Sequence, residues 1–193
     1  MSERASLTPA YFEAIYAADI DPWQFETSEY ERAKYADTIA ALADRRFASG
    51  FEVGCSIGVL TELLAARCDR LLAIDVADAA LDRARDRCRD AGHVRFARMQ
   101  VPDEWPEGTF DLIVFSEVLY YLAPLDIASA TAAAMRALSP GGVALLVHFT
   151  DPTNYPVSGD NAVGCFVQAA GDAIKPVRHE RRGRYRLDCF ERA

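Results

Sequence analysis

Phe51-Glu52-Val53-Gly54-Cys55-Ser56-Ile57-Gly58, answered further on by Leu71-Leu72-Ala73-Ile74-Asp75, decides the fold of this 193-residue sequence. A short apolar run, a glycine-bearing turn, an amphipathic stretch (Val59–Ala66) and a second apolar run make one strand–helix–strand unit. The alternation continues as far as Phe149. Arg70–Val76 leads to Asp78–Arg89, and Val94–Met99 ends in a loop rich in proline and acid. Phe110–Ser116 precedes a helix from about Leu125 to Leu138, and Val143–Phe149 follows the turn Ser139-Pro140-Gly141-Gly142. Runs such as Leu71–Ile74 and Leu112-Ile113-Val114-Phe115 suit strands buried on both faces. Strands that alternate with helices of this length predict a parallel sheet with helices on both sides, an α/β fold.

The flanks read differently. Residues 8–43 are expected to be helical, with a break at Asp21-Pro22. Ser28-Glu29-Tyr30-Glu31 has the form of a capping box, in which Ser28 takes an amide of the first turn and Glu31 reaches back to the cap. Thr150–Gly159 is a loop and a candidate lid. Asp160–Ala170 suits a helix, and Lys175–Glu180 with Tyr185–Glu191 form a hairpin around Arg182-Gly183, closing one sheet edge antiparallel.

Composition narrows the function. Apolar residues make up 51% and charged residues 26%, values of an ordinary globular chain. With 21 Lys and Arg against 29 Asp and Glu, the net charge is −8. A surface of that sign repels phosphate backbones and anionic lipid, so nucleic acid and membrane are poor partners and a neutral or cationic small molecule is acceptable. Met-Ser-Glu-Arg-Ala-Ser at the start lacks the pattern of a signal peptide. Cys55, Cys68, Cys88, Cys165 and Cys189 are odd in number and scattered, which reads as reduced thiols in a cytoplasm. No H-E-x-x-H or paired-cysteine motif calls for a metal.

The chemistry begins at Glu52–Gly58. Glycines there permit a tight turn and let backbone amides approach a ligand. The spacing is E-x-G-x-x-x-G, with Glu52 where a pyrophosphate-binding G-x-G-x-x-G would carry glycine. An anionic side chain at that point disfavours a pyrophosphate and favours a cationic ligand. Asp75 ends the second strand, 21 positions after Gly54, where a carboxylate can accept both hydroxyls of a ribose. The pair points to a nucleoside without phosphates.

Those stretches, with Phe110-Asp111-Leu112-Ile113-Val114-Phe115-Ser116-Glu117 and Leu138-Ser139-Pro140-Gly141-Gly142, resemble the class I methyltransferases dependent on S-adenosyl-L-methionine. Asp21-Pro22-Trp23, Thr27-Ser28-Glu29-Tyr30-Glu31 with Lys34, and Ser116–Leu122 are most similar to the branch typified by nodulation protein S. The resemblance implies a doubly wound, mostly parallel, seven-stranded sheet of Rossmann-like form. It divides one domain into a helical cap (1–46), a cofactor-binding core (47–149) and a substrate loop, helix and hairpin (150–193). Gly54, Cys55 and Gly58 would line the methionine and ribose, beside Glu52, and Asp75 would hold the ribose hydroxyls next to Val76. Gln100 stands where such enzymes usually carry an acid for the adenine amino group; its amide oxygen can still accept, and Val101 offers a backbone amide. Ser116 completes the cofactor set. Trp23 is either a cap over the cofactor or an apolar anchor, and Lys34, with Arg32 in reserve, would pair with the cofactor carboxylate.

Glu117, just past the fourth strand, lies at the carboxyl edge where open α/β sheets bind ligands. It reads either as an acid capping the next helix or as the acceptor for the substrate's nucleophile. His148, at the end of the fifth strand, is a candidate base or substrate contact, with a structural role as the alternative. Tyr120, Tyr121 and Tyr155 are candidates for the acceptor pocket, one of the adjacent pair facing the core. The resemblance implies methylation of the amine of an amino-sugar-like compound; a hydroxyl acceptor is the nearest rival. A nicotinamide-dependent oxidoreductase and a non-catalytic S-adenosylmethionine-binding module are the readings of other classes.

Overall fold

The computed structural model describes residues 5–193, so the reading of Met1–Arg4 lies outside the described residues. The chain forms two compact units, Thr8–Gln100 and Val101–Ala193, the latter joined by residues 5–7.

The first unit runs α1 (Pro9–Ala18), α2 (Glu29–Ala41), β1 (Gly50–Val53), α3 (Val59–Ala65), β2 (Leu71–Asp75), α4 (Asp78–Arg87) and β3 (Val94–Arg98). β1 pairs parallel with β2, setting Glu52 opposite Ala73, and β2 pairs parallel with β3, setting Asp75 opposite Arg98. Phe51, Val53, Leu71, Ala73, Ile74 and Leu81 are buried, as the continuous apolar runs require. Each large aliphatic or aromatic side chain so buried contributes about 1.5–3 kcal/mol.

In the second unit are β4 (Phe110–Ser116), a 3-10 turn (Leu119–Tyr121), α5 (Pro124–Ala137), β5 (Leu138–Phe149), α6 (Gly159–Ala170), β6 (Ile174–Arg182) and β7 (Tyr185–Arg192). β4 and β5 are parallel, while β7 runs antiparallel to both β5 and β6. Leu112–Phe115 and Ala144–Val147 are entirely buried, the two-sided burial expected of a strand covered by helices. The strand order is β3-β2-β1-β4-β5-β7-β6, a seven-stranded sheet with the hairpin at one edge. Among the described residues, no helix is long and apolar enough to cross a membrane.

Two boundaries and one helix cap differ from the sequence reading. The helical break spans the whole segment between α1 and α2 rather than Asp21-Pro22 alone, because Asp21 accepts the amides of Phe25 (2.7 Å) and Glu26 (3.1 Å) and folds the chain into a turn. β5 starts at Leu138, since Leu138 already pairs with Phe110, and the Ser139–Gly142 turn becomes an irregularity within the strand. At α2, Ser28 Oγ accepts the Glu31 amide (3.4 Å), but the Ser28 amide donates to the Gln24 carbonyl (2.9 Å), and the Glu31 carboxylate takes Lys34.

Candidate functional site

In the first unit the turn after β1 carries three residues with left-handed backbone: Gly54 (φ 78°), Ser56 (φ 49°) and Gly58 (φ 80°). Gly58 has a second reason to lack a side chain. A Cβ there would stand 2.9 Å from the Cα of Ala84, so α4 packs directly beneath the turn. The Gly54 and Cys55 amides both donate to the Ile74 carbonyl (2.8 and 2.9 Å), which holds the turn against the end of β2.

Asp75 closes β2 with its carboxylate fixed by backbone alone. Oδ2 accepts the Ser56 amide (2.9 Å) and Oδ1 the Ala77 amide (3.0 Å). Burial raises its pKa, opposed by those amides and that of Val76. Above the turn, the Tyr16 hydroxyl is 2.5 Å from Ser56 Oγ, so α1 touches the loop at its apex. Burial, with the charge of Asp75 next, drives the Tyr16 hydroxyl pKa well up. Sequence reasoning missed Tyr16; Phe12 and Tyr16, one helical turn apart on α1, were the signal of a docking face.

Glu52 is not presented to a ligand. It is buried inside the unit, where its Oε2 accepts from Thr61 Oγ1 of α3 (2.6 Å), and desolvation pushes its pKa up to about 7. The electrostatic part assigned to it from sequence, an anion facing a cationic ligand, therefore gives way to a buried hydrogen bond. Cys55 is buried, and burial raises its thiol pKa. Trp23 is half-buried, stacked on Phe25 (5.5 Å) and edge-on to Tyr16 (5.7 Å), against Ile57, Ala77 and Ala80. Lys34 is only 2% exposed, and its ammonium lies 2.9 Å from Glu31. Val76 and Gln100 are half-buried at the ends of β2 and β3, and Arg32 is exposed.

The second unit holds the other candidates. Ser116 ends β4, and Glu117 follows in left-handed backbone (φ 58°), a conformation that costs a non-glycine residue roughly 1–3 kcal/mol and clusters at functional sites. Its amide donates to the Val147 carbonyl (2.8 Å), and its Oε2 accepts from the Phe149 amide (2.8 Å) and the Tyr120 hydroxyl (2.6 Å). Tyr120 is buried and stacks on Tyr155 (5.1 Å, 20° between planes); Tyr121 meets Tyr155 edge-on at 4.7 Å, with a hydrogen bond between their hydroxyls. Desolvation raises both the Tyr120 and Tyr121 pKa values, with Glu117 and Tyr155 respectively the next largest cause. Val101, where the longer stretch of this unit begins, is buried.

His148 has no exposure to solvent, and its Nε2 accepts the Leu119 amide at 3.2 Å. That nitrogen is already engaged, so the geometry gives the ring a part in holding the 3-10 turn that carries Tyr120 and Tyr121, rather than a solvent-reachable base. His93 and His179 contact Ala65 O and Asp188, respectively.

A family model described as nodulation protein S (NodS) matches residues 13–145. Nodulation protein S of Rhizobium tropici is 41% identical over 128 residues, which are 65% of this chain and 53% of that protein. A ubiquinone biosynthesis O-methyltransferase of Methylococcus capsulatus is 32% identical over 115 residues, 58% of this chain and 46% of that one. The chain spans about half the length of the curated relatives it matches. Among solved structures, the N-methyltransferase NodS of Bradyrhizobium japonicum, in complex with S-adenosyl-L-homocysteine, superposes with a TM-score of 0.84 at 27% identity, covering 95% of this chain and 97% of that one.

Proposed function

The chain belongs to the nodulation protein S family, and from that premise we propose that it transfers a methyl group from S-adenosyl-L-methionine to the amine of a small, amino-sugar-like acceptor. The observation that carries this reading is the Asp75 carboxylate, pinned by the Ser56 and Ala77 amides beside a turn with left-handed Gly54 and Gly58. Backbone N–H groups anchor both of its oxygens, which fixes the carboxylate as an acceptor for ribose hydroxyls.

In the proposal, Gly54, Cys55, Ser56 and Gly58 contact the methionine and ribose portions, and Val76, Gln100, Val101 and Ser116 keep their cofactor roles. Trp23, with Phe25, covers the cofactor from the Asp21–Glu26 turn. Lys34 stabilises that segment through Glu31 as well as offering its charge to the cofactor carboxylate. Glu52 supports the turn from inside.

S-adenosyl-L-methionine, when bound, supplies a methyl group on a positively charged sulfur. The acceptor nitrogen must then present its lone pair in line, which is a matter of positioning. Glu117 is proposed to accept a hydrogen bond from that nitrogen and to take the proton released as the carbon–nitrogen bond forms and the carbon–sulfur bond breaks. Tyr121 and Tyr155 flank the acceptor, Tyr120 orients Glu117, and His148 positions the 3-10 turn.

Calorimetric titration with S-adenosylhomocysteine and then with NAD tests the cofactor. Micromolar binding of the first alone is expected; no binding of either would overturn the reading. Incubation with S-adenosylmethionine and a panel of amines and alcohols, read by mass spectrometry, tests the transfer. A hydroxyl acceptor is the second reading, favoured by the similarity to the O-methyltransferase of Methylococcus capsulatus, and the panel separates the two. Cofactor binding without turnover on either class would leave a non-catalytic module.

A further inference from the structure

Ile57 lies at the centre of the glycine-bearing turn and is held from two sides within the first unit. Its side chain, 1% exposed, packs with Tyr16, Ala77 and Ala80 under Trp23 and Phe25. Its carbonyl accepts from Arg87 Nε at 3.0 Å. The same guanidinium contacts Glu26 through Nη2, and its Nη1 lies 3.7 Å from Glu62 of α3. Arg83, one turn earlier on α4, reaches the same Glu26 oxygen at 3.4 Å. Glu26 is no loose end. Its amide is bound by Asp21, which also binds the amide of Phe25, so Glu26 moves with Trp23 and Phe25 as one turn.

We propose that Arg87 is a positioning residue for cofactor binding: one guanidinium ties the Asp21–Glu26 turn to the Ile57 carbonyl of the glycine-bearing loop. The seating of the aromatic turn and the shape of the loop are thereby set together. The inference rests on the cofactor site proposed above and adds to it a residue outside the motif, at the far end of α4. An isolated ion pair at a surface contributes little. A guanidinium differs in that its planar fork bridges several acceptors at once, a geometry that a lysine ammonium does not reproduce. The packing beneath the loop is consistent with such a role: Ala84 leaves no room for a side chain at Gly58, and Cys88 Sγ lies 4.0 Å from the Gly58 carbonyl.

The test is S-adenosylhomocysteine titration of the full chain at low and high salt, with melting temperatures, for the wild type, Arg87→Lys, Glu26→Gln, the double variant and Asp75→Ala. Each single substitution at the bridge is expected to raise the dissociation constant about three- to tenfold, and the double variant no further than the larger single. Part of the fall of wild-type S-adenosylhomocysteine affinity with salt should come through the bridge, and the dependence should be weaker in Glu26→Gln than in the wild type. Wild-type affinity in Arg87→Lys, or additive losses in the double variant, overturns the proposal while a loss in Asp75→Ala keeps the cofactor site. If Asp75→Ala also binds normally, the cofactor reading falls and this inference with it. Should Arg87→Lys fail to fold, Glu26→Gln alone decides: unchanged affinity and salt response overturn the bridge.

Discussion

Asp75 and Glu117 both stand at the carboxyl end of a strand, and the two units hold them by different means. Asp75 is fixed by two main-chain amides, Ser56 and Ala77, from turns that the chain must make to leave β1 and β2. Glu117 is fixed by the Phe149 amide, 32 residues away, and by a phenol, Tyr120. The first arrangement depends on the course of the backbone, the second on packing between a 3-10 turn and the end of β5. Acids in the two units also titrate in opposite senses: burial pushes Glu52 up to about 7, while Arg181 and Arg186 pull Asp160 down to about 2. Glu52 is buried against the Thr61 hydroxyl, whereas Asp160 meets two arginines.

Replacing each carboxylate would sharpen the contrast. Glu117→Gln retains an oxygen for the Phe149 amide and Tyr120 hydroxyl but cannot take a proton at neutral pH. Turnover should fall about a hundredfold or more, while S-adenosylhomocysteine affinity stays near wild type; equal losses in both would move Glu117 to the cofactor. Asp75→Ala should do the reverse, weakening S-adenosylhomocysteine by about 1–3 kcal/mol as the ribose and two amides lose their acceptor. Unchanged affinity by calorimetry would break the comparison at its first term.

The titration contrast gives a smaller effect of defined sign. Glu52 has a folded pKa of about 7 against an ordinary 4.5. Between those values the unfolded chain gives up a proton that the folded chain keeps, so stability falls as pH rises across that window and levels off above it. Between pH 5 and pH 8 the swing is on the order of 2 kcal/mol. Glu52→Gln keeps an acceptor for Thr61 and removes the titration. Urea unfolding at pH 5 and pH 8 should therefore show the variant gaining on the wild type at the higher pH, and equal differences at both would mean that Glu52 is already ionised when buried. Asp160 has the opposite sign: its contribution is present above the ordinary 3.8 and is lost as pH falls through about 2.

What the sequence discloses follows the same division. Leu71–Ile74 and Leu112–Phe115 announce buried strands because two-sided burial leaves an uninterrupted apolar run, and Ser28 announces a helix start because its cap contact lies three residues on. The Gly54–Asp75 pairing is legible since its partners are neighbours in one strand–helix–strand unit. The destination of Glu52 is not, because facing Thr61 depends on how α3 is rotated over β1. Nor are the partners of Glu117, which follow from the β4–β5 register that sets Ser116 opposite Val147. Arg186 is mixed: Asp188 (2.7 Å) is two places on in the same strand and on the same face, whereas Asp160 (2.9 Å) comes from α6 and gives no local signal. Lys34 is an intermediate case: Glu31, three residues before it, shares its helical face, yet the burial of the pair depends on tertiary packing.

The smallest expected effect tests whether the loop after β5 belongs to the acceptor half at all. Tyr155 stacks on Tyr120 and hydrogen-bonds Tyr121, so its ring and its hydroxyl are held by different neighbours. Tyr155→Phe keeps the stack and loses only the hydroxyl contact, whereas Tyr155→Ala forfeits both, with about 0.5–1.5 kcal/mol from the aromatic pair. If the loop covers the acceptor, Tyr155→Ala should raise the acceptor KM several-fold with S-adenosylhomocysteine affinity unchanged, and Tyr155→Phe should lie close to wild type. A lower melting temperature in Tyr155→Ala with an unchanged KM would make the loop a structural cover over Tyr120. The acceptor half would then reduce to Glu117 and the 3-10 turn, held by the Tyr120 and His148 side chains together with the Phe149 amide, where Asp75 is held by backbone alone.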